Sequence, residues 1–376
     1  MSVSTIVLLS DFAGGFLIGT MLILLLLKVS YKNKIFDVPD ARKIHHLPIP
    51  RLGGMAFLPS VTVVTAVTLV ILYQQDFIYP GFLGSRGFIH MSCMSAGAFL
   101  VYMIGIADDL SGVDYKLKFL VQFAAAGIIC ASGLWMSTLY GLYFVNRMSV
   151  FVGIPFTILL VAYITNALNM IDGVDGLASG FSLVFLGCMS VIFITEHRLL
   201  LSMISVTTFS TVLAFWFFNV FGSQEKSTKL FMGDTGSLTL GMIMSYLIIS
   251  ITTLAPYNGP TRNCKYLIIA FSALMLPMLD VLRLIVFRLK NHKSPFKPDM
   301  NHIHHKFLQL GFSQKQTLFI LLAIDVVLIG LNAGLSMLMN VNLLFLLDVA
   351  IYYVLVRVLT HKILQKENAA KVVQGR

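Results

Sequence analysis

Asn166, Asn169, Asp172 and Asp175 fall within ten residues of one another, with Gly173 and Gly176 interleaved. The first three are spaced by three, so on a helix they drift round slowly and share a face. The glycines loosen the backbone beyond them and let it approach a ligand closely. Amides and carboxylates grouped in this way cost free energy unless they meet water, a metal or a polar ligand. A polar cap joining two membrane helices is the plainer alternative, and it suits a single Asp better than this group.

Four further stretches carry comparable chemistry. Asp108 and Asp109 are adjacent acids that repel one another, which calls for a cation, and Lys116 and Lys118 follow closely enough to act as counter-charges. Gly233-Asp234-Thr235-Gly236-Ser237 sets an Asp in a glycine-flanked turn at the start of an apolar run. A helix N-terminus there offers free N–H groups to phosphate. The Asp itself suits a metal bridging to that phosphate, since Mg²⁺ takes one or two carboxylates together with substrate phosphate oxygens; an Asp N-cap is the alternative.

His302-Ile303-His304-His305, with Lys297 and Lys306 alongside, offers imidazoles to a transition metal or to a diphosphate. No cysteine lies near, and the carboxylates elsewhere ask for a hard cation, so the diphosphate is the better reading. Finally, Pro48-Ile49-Pro50-Arg51-Leu52-Gly53-Gly54 ends a cationic stretch stiffened by prolines, and it places Arg51 where lipid head groups lie.

These stretches need elements to hold them, and the composition says what those are. Of 376 residues, 57% are hydrophobic and only 12% charged, against about 25% charged in a soluble domain. The mean hydropathy is +0.85. No polar segment is long enough to bury its own core, so the fold class expected is an all-α polytopic membrane protein, a single transmembrane catalytic domain over 1-376. A bilayer span needs about 20 apolar residues. Eleven segments qualify, at 5-27, 54-73, 88-107, 118-134, 149-168, 177-195, 200-220, 237-255, 266-287, 316-338 and 341-359, followed by a basic tail over 360-376. The four cysteines are scattered without metal spacing and read as small apolar fillers.

The net charge of +10 is spread among loops, which fits membrane orientation and not nucleic acid. The first span has its lysines after the apolar run, unlike a cleavable signal peptide. Placing those lysines in the cytoplasm puts the N-terminus outside and the C-terminus inside. Basic residues then collect on the inner side throughout, as the positive-inside rule requires. All five chemically rich stretches fall on that same face, so one active site at the cytoplasmic surface is the simplest account.

Taken in order, PxPRxGG, DD, NxxNxxDGxDG, FMGDxGS and a histidine-rich loop resemble the polyprenyl-phosphate N-acetylhexosamine-1-phosphate transferases, the family of MraY, WecA, TagO and the eukaryotic dolichyl-phosphate enzyme. The resemblance runs from about residue 28 to about 315. It implies transfer of a sugar-1-phosphate from a UDP-sugar to a polyprenyl phosphate, undecaprenyl phosphate in a bacterium, with release of UMP. Mg²⁺ is the implied cofactor, or Mn²⁺ in its place. By position, Asp234 matches the metal-binding Asp, Asp108 and Asp109 the acidic pair at the lipid phosphate, and Asp172 and Asp175 acids near nucleotide and metal. Asn169 and Asn219 match polar nucleotide-side positions, with Asn166 beside them, and His302, His304 and His305 match the UDP-sugar loop. Ile303 interrupts the histidines, a pattern similar to the WecA/TagO branch, which favours UDP-GlcNAc over UDP-MurNAc-pentapeptide. That branch carries Arg where this chain has Met300.

The expected partners are thus the UDP-sugar, the polyprenyl phosphate and the bilayer, with a homodimer allowed and no nucleic acid. An in-line attack by the lipid phosphate on the β-phosphorus and a two-step route through a phospho-aspartyl enzyme both remain open. A cation-coupled transporter is the rival from another class. It expects acids near mid-span, whereas here the grouped acids lie at one face and only Asp280, Asp325 and Asp348 lie within or near other spans. Asp280 has no evident role beyond pairing with Arg283, one helical turn on.

Overall fold

The computed structural model of the chain describes residues 3–36, 48–78, 84–254, 260–294, 301–336 and 338–374. It is helical, as the composition requires of a chain whose backbone must satisfy itself in hydrocarbon. In chain order the helices are α1 (Val3–Asn33), α2 (Phe57–Gln74, entered through a 3₁₀ turn at Gly53–Ala56), α3 (Gly84–Ser111), α4 (Tyr115–Ala131) and α5 (Val150–Ile171). There follow α6 (Leu177–Thr195), α7 (Leu199–Phe221), α8 (Gly233–Ser250), α9 (Pro260–Ser272), α10 (Met275–Lys290), α11 (Ile303–Leu310), α12 (Gln314–Leu335) and α13 (Val341–Gln374).

Among the described residues, nine helices are long and apolar enough to cross a membrane. The chain is a multi-pass membrane protein. The expected span at 118-134 is α4, whose 17 residues sit at the short limit for a crossing. The expected continuous span at 266-287 is two helices, with α9 and α10 meeting at a bend of 66°. Pro277 explains the break: with no N–H and a bulky ring it cannot continue a helix from α9, but it is tolerated in the first turn of α10.

The helix at the centre is α8, which packs against α3, α5 and α6. Every residue from Thr235 to Ser250 is buried. Glycine and small polar residues let its neighbours approach closely, as in Gly241 against Thr165 of α5 and Gly105 of α3 against Thr235. Around this axis the chain alternates direction. The starts of α2, α4, α6 and α8 and the ends of α3, α5 and α7 therefore meet at one end of the bundle, and α11 joins them there.

Candidate active site

At that end the acidic pair divides its labour. Asp109 is 4% exposed, and both of its oxygens are engaged by the first turn of α8. Oδ1 accepts from the Asp234 N–H at 2.8 Å, and Oδ2 accepts from the Thr235 N–H at 3.0 Å and the Thr235 hydroxyl at 2.6 Å. It is an N-cap supplied from another helix. Gly233 makes this possible: its φ is +71°, and a Cβ there would stand 2.5 Å from an Asp109 oxygen. Asp108 turns the other way. Its Oδ1 accepts from the Val113 N–H at 2.7 Å, and its Oδ2 lies 3.4 Å from the Lys118 ammonium.

Lys118 also reaches Asp234 Oδ2 at 2.8 Å, so one ammonium stands between the two carboxylates. Lys116, the other expected counter-charge, is exposed at the start of α4. Two residues on a helix are turned about 200° apart, so both could not face the site. The buried stripe of α4 at Gln122, Ala125, Ala126 and Ile129 continues back to Lys118, and that register was readable in the sequence.

Arg51 is engaged by the protein's own backbone. Its guanidinium donates to the Asp109 carbonyl from Nε at 2.7 Å and, from Nη2, to the carbonyls of Asp108 and Asp109, closing the C-terminus of α3. Beside it Phe231 donates to the Pro50 carbonyl, and the Gly53 and Gly54 N–H groups donate to Phe231 and Met232. The first motif is therefore a bracket for the fourth.

The α5 motif supplies the third wall. Asp172 ends α5, and Asn169 Nδ2 donates to Ser237 Oγ of α8 at 2.9 Å. Protein packed round the Asp172 carboxyl, with the Asp234, Asp175 and Asp109 carboxylates nearby, pushes its pKa up to about 8, although one face stays open to solvent. Asp175 pairs with Lys229 at 2.6 Å. Asn219 accepts from the Gly176 N–H at 2.5 Å and donates to the Leu230 carbonyl at 2.8 Å, bracing the turn before α6 against the segment before α8. Asn166 is turned away, donating to Gln122 of α4 at 2.6 Å.

The fourth wall is α11. His304 is 1% exposed, neither ring nitrogen has a hydrogen-bond partner among the described residues, and its Nε2 would be 2.6 Å from a Cβ on Gly173. Burial, then the neighbouring His305 and His302, holds its pKa well below the usual imidazole range. His302 and His305 pack against it and against each other, with centroids 5.4 and 4.3 Å from that of His304 and 6.3 Å apart. Lys306 points away to Thr360 of α13 at 3.0 Å, and Lys297 and Asp299 lie outside the described residues.

This donor set suits a hard cation. Carboxylate oxygens are the available ligands, the neighbouring carboxylates add to desolvation in raising Asp172, and the Lys118 ammonium already occupies a cation's place between Asp108 and Asp234. Among the described residues no three acids, histidines or cysteines stand ready at metal-ligand spacing.

Comparison with known proteins decides the family. The family description "Glycosyl transferase family 4" matches residues 91–252. Decaprenyl-phosphate N-acetylglucosaminephosphotransferase of Mycobacterium leprae (strain TN) is 32% identical over 313 residues, covering 78% of this chain and 75% of that protein. The chain belongs to glycosyl transferase family 4. A Bacillus subtilis (strain 168) relative, described as a probable undecaprenyl-phosphate N-acetylglucosaminyl 1-phosphate transferase, is 30% identical over 78% of this chain and 75% of its own length. Undecaprenyl-phosphate alpha-N-acetylglucosaminyl 1-phosphate transferase of Escherichia coli (strain K12) is 27% identical over 85% of this chain and 82% of its own. The family 4 match runs from within α3 to just past the end of α8, the walls that carry the carboxylates. The histidines of α11 fall beyond it.

Proposed function

We propose that this family 4 protein transfers N-acetylglucosamine-1-phosphate from UDP-GlcNAc to a polyprenyl phosphate, undecaprenyl phosphate in the simplest case. The products are a lipid-diphosphate sugar and UMP. The single observation that carries the reading is the meeting of Asp108, Lys118 and Asp234 at one bundle end, beside the Asp172 turn and the α11 histidines. The relatives' acceptors and sugar supply the substrate classes. Nothing about a transporter calls for a lysine clamped between two acids at a helix N-terminus.

The chemistry divides as the geometry does. A lipid phosphate oxygen attacks the β-phosphorus of the UDP-sugar. The new P–O bond forms as the bond from that phosphorus to the bridging oxygen breaks, and UMP leaves with the electron pair. Asp108 holds or deprotonates the incoming lipid phosphate, since Asp109 spends both oxygens on α8. Lys118 offers positive charge where phosphate oxygens crowd. Asp234, with Asp172, is the pair that would hold Mg²⁺, and the ion would supply neutralisation of the diphosphate. The histidines of α11 receive the donor diphosphate, and Asp175 with Asn169 lines the nucleotide side. We place this site at the cytoplasmic face of the inner membrane on the distribution of basic loops. A homodimer would leave it unchanged, since every residue named comes from one chain.

Purified protein in detergent with Mg²⁺, undecaprenyl phosphate and radiolabelled UDP-GlcNAc tests the reading directly. Label should pass to the organic phase and stop on adding EDTA. Transfer only from another UDP-N-acetylhexosamine would move the sugar assignment, and no transfer from any would sink the function.

A further inference from the structure

Asp280 belongs to none of the five motifs and is fully buried in α10, yet four donors converge on it. Its Oδ1 accepts from Arg283 Nη2 at 2.9 Å, the Tyr352 hydroxyl at 2.9 Å and the Ile303 N–H at 3.1 Å. Its Oδ2 lies 2.9 Å from Nδ1 of His302. Arg283 is shared in turn, donating to the Asn301 carbonyl at 2.5 Å and, through Nε, to the Tyr352 oxygen at 3.1 Å. One carboxylate thus gathers the chain before α11, the first N–H of α11 and a tyrosine of α13. His302, at the N-cap position of α11, makes no side-chain cap of its own, so Asp280 takes that duty as well.

The contact with His302 has a chemical consequence. A carboxylate paired with Arg283 only accepts, so the proton on Oδ2's partner must sit on Nδ1 of the imidazole. That leaves Nε2 as the ring nitrogen turned to a ligand, and in the imidazolium form it donates to a phosphate oxygen. The His302 ring lies nearly parallel to that of His304, with 14° between planes, and His304 abuts Gly173 in the turn after Asp172. Fixing His302 therefore fixes the stack that faces the site.

We infer that Asp280 is a positioning residue for the transfer reaction: it fixes the Nδ1–H of His302, as the counter-charge of an imidazolium, and latches the head of α11, so that the Nε2–H of His302 donates to the diphosphate of the nucleotide-sugar. This rests on the donor reading above. A buried ion pair that only holds α10 to α13 would make the same contacts, and the test is chosen to separate the two.

The full-length protein labelled with ¹⁵N-histidine reports the tautomer by NMR, and kinetics with UDP-GlcNAc and undecaprenyl phosphate report its effect. In the wild type, His302 should be protonated at Nδ1, and Asp280→Asn should change that. Asp280→Asn should raise KM for UDP-GlcNAc about ten- to hundredfold, the range expected for losing a hydrogen bond to a charged group, and leave KM for the lipid within about twofold. In a His302→Gln background the same change should add less than about twofold, because the two act as a unit. Tyr352→Phe, which removes one donor and spares the Oδ2 contact, should keep the tautomer and cost at most about threefold. Equal KM effects from Tyr352→Phe and Asp280→Asn, or a wild-type His302 protonated only at Nε2, would overturn the proposal. The second of these needs no variant to fold. Should the wild type not use UDP-GlcNAc, the donor reading fails on its own, and the Asp280–His302 link still stands or falls on the spectrum.

Discussion

The two sides of the site are built on different plans. On the carboxylate side, α3, α4 and α8 hold one another through the motifs and one lysine beside them: Asp109 caps α8, Arg51 closes α3, and Lys118 joins Asp108 to Asp234. On the histidine side the rings pack on one another, and polar ties reach the motif from other helices. Its short helix is fastened from outside, by Asp280 and Arg283 of α10, which Tyr352 of α13 holds in turn, and by Thr360 of α13. A cluster of like charges must be locked rigidly because repulsion would otherwise open it, whereas a wall that receives a ligand can be hung from its surroundings.

That contrast can be broken at several points. The largest effect is expected at Asp234→Asn, which should lower kcat about a thousandfold or more with little change in KM for the donor, by analogy with loss of a transition-state charge stabiliser. A variant with ordinary Mg²⁺ dependence and near wild-type kcat would remove Asp234 from the mechanism. Lys118→Gln comes next, with kcat down about a hundredfold and with Lys116→Gln near wild type as its control. If the two lysines ranked the other way, the register assigned to α4 would be wrong.

Asp109→Asn should act on the fold first. An amide NH₂ turned toward N–H donors leaves buried groups unpaired, a loss of about 1–3 kcal/mol read by thermal unfolding in detergent. Full stability with lost activity would instead make Asp109 a reacting group. Asn219→Ala should cost about 1–2 kcal/mol by the same measurement, since it frees the Gly176 N–H and the Leu230 carbonyl.

The smallest effect is a pH dependence on the histidine side. Burial holds the folded His304 pKa well below 6.5, so its neutral form is the one the fold favours. The corresponding stability is present above the unfolded value of about 6.5 and drains away as pH falls below it. Melting temperature should therefore drop with acid in that window, and His304→Gln should flatten the slope. An unchanged slope would mean that His304 is accessible to protons in the folded state.

Much of this was legible beforehand in residue types and order. Five polar stretches interrupting apolar runs, all on one side once the basic loops are aligned, foretold a single site at one bundle end, and the helices meet there. What stayed hidden is long-range. Asp108 and Asp109 are neighbours in sequence, and only the approach of α8 reveals that one is a cap and the other turns to Lys118. Arg51 reads as a head-group ligand because the carbonyls it closes are more than fifty residues away. The break between α9 and α10 was masked by uninterrupted hydropathy, although Pro277 marked it. Asp280 could be paired with Arg283 from spacing alone, and the structure has that pair at 2.9 Å. Its hold on His302 needed the fold.

The burial of α8 from Thr235 to Ser250 has one more consequence. Lipid never touches the helix that carries Asp234 and Thr235, so a thinner or thicker bilayer cannot tilt or stretch it directly. Hydrophobic mismatch would be absorbed at the rim, where most of the apolar stretches of α1 and α13 is left uncovered by protein. The acidic centre is suspended inside a protein sleeve, and its geometry is insulated from the thickness of the membrane that houses it.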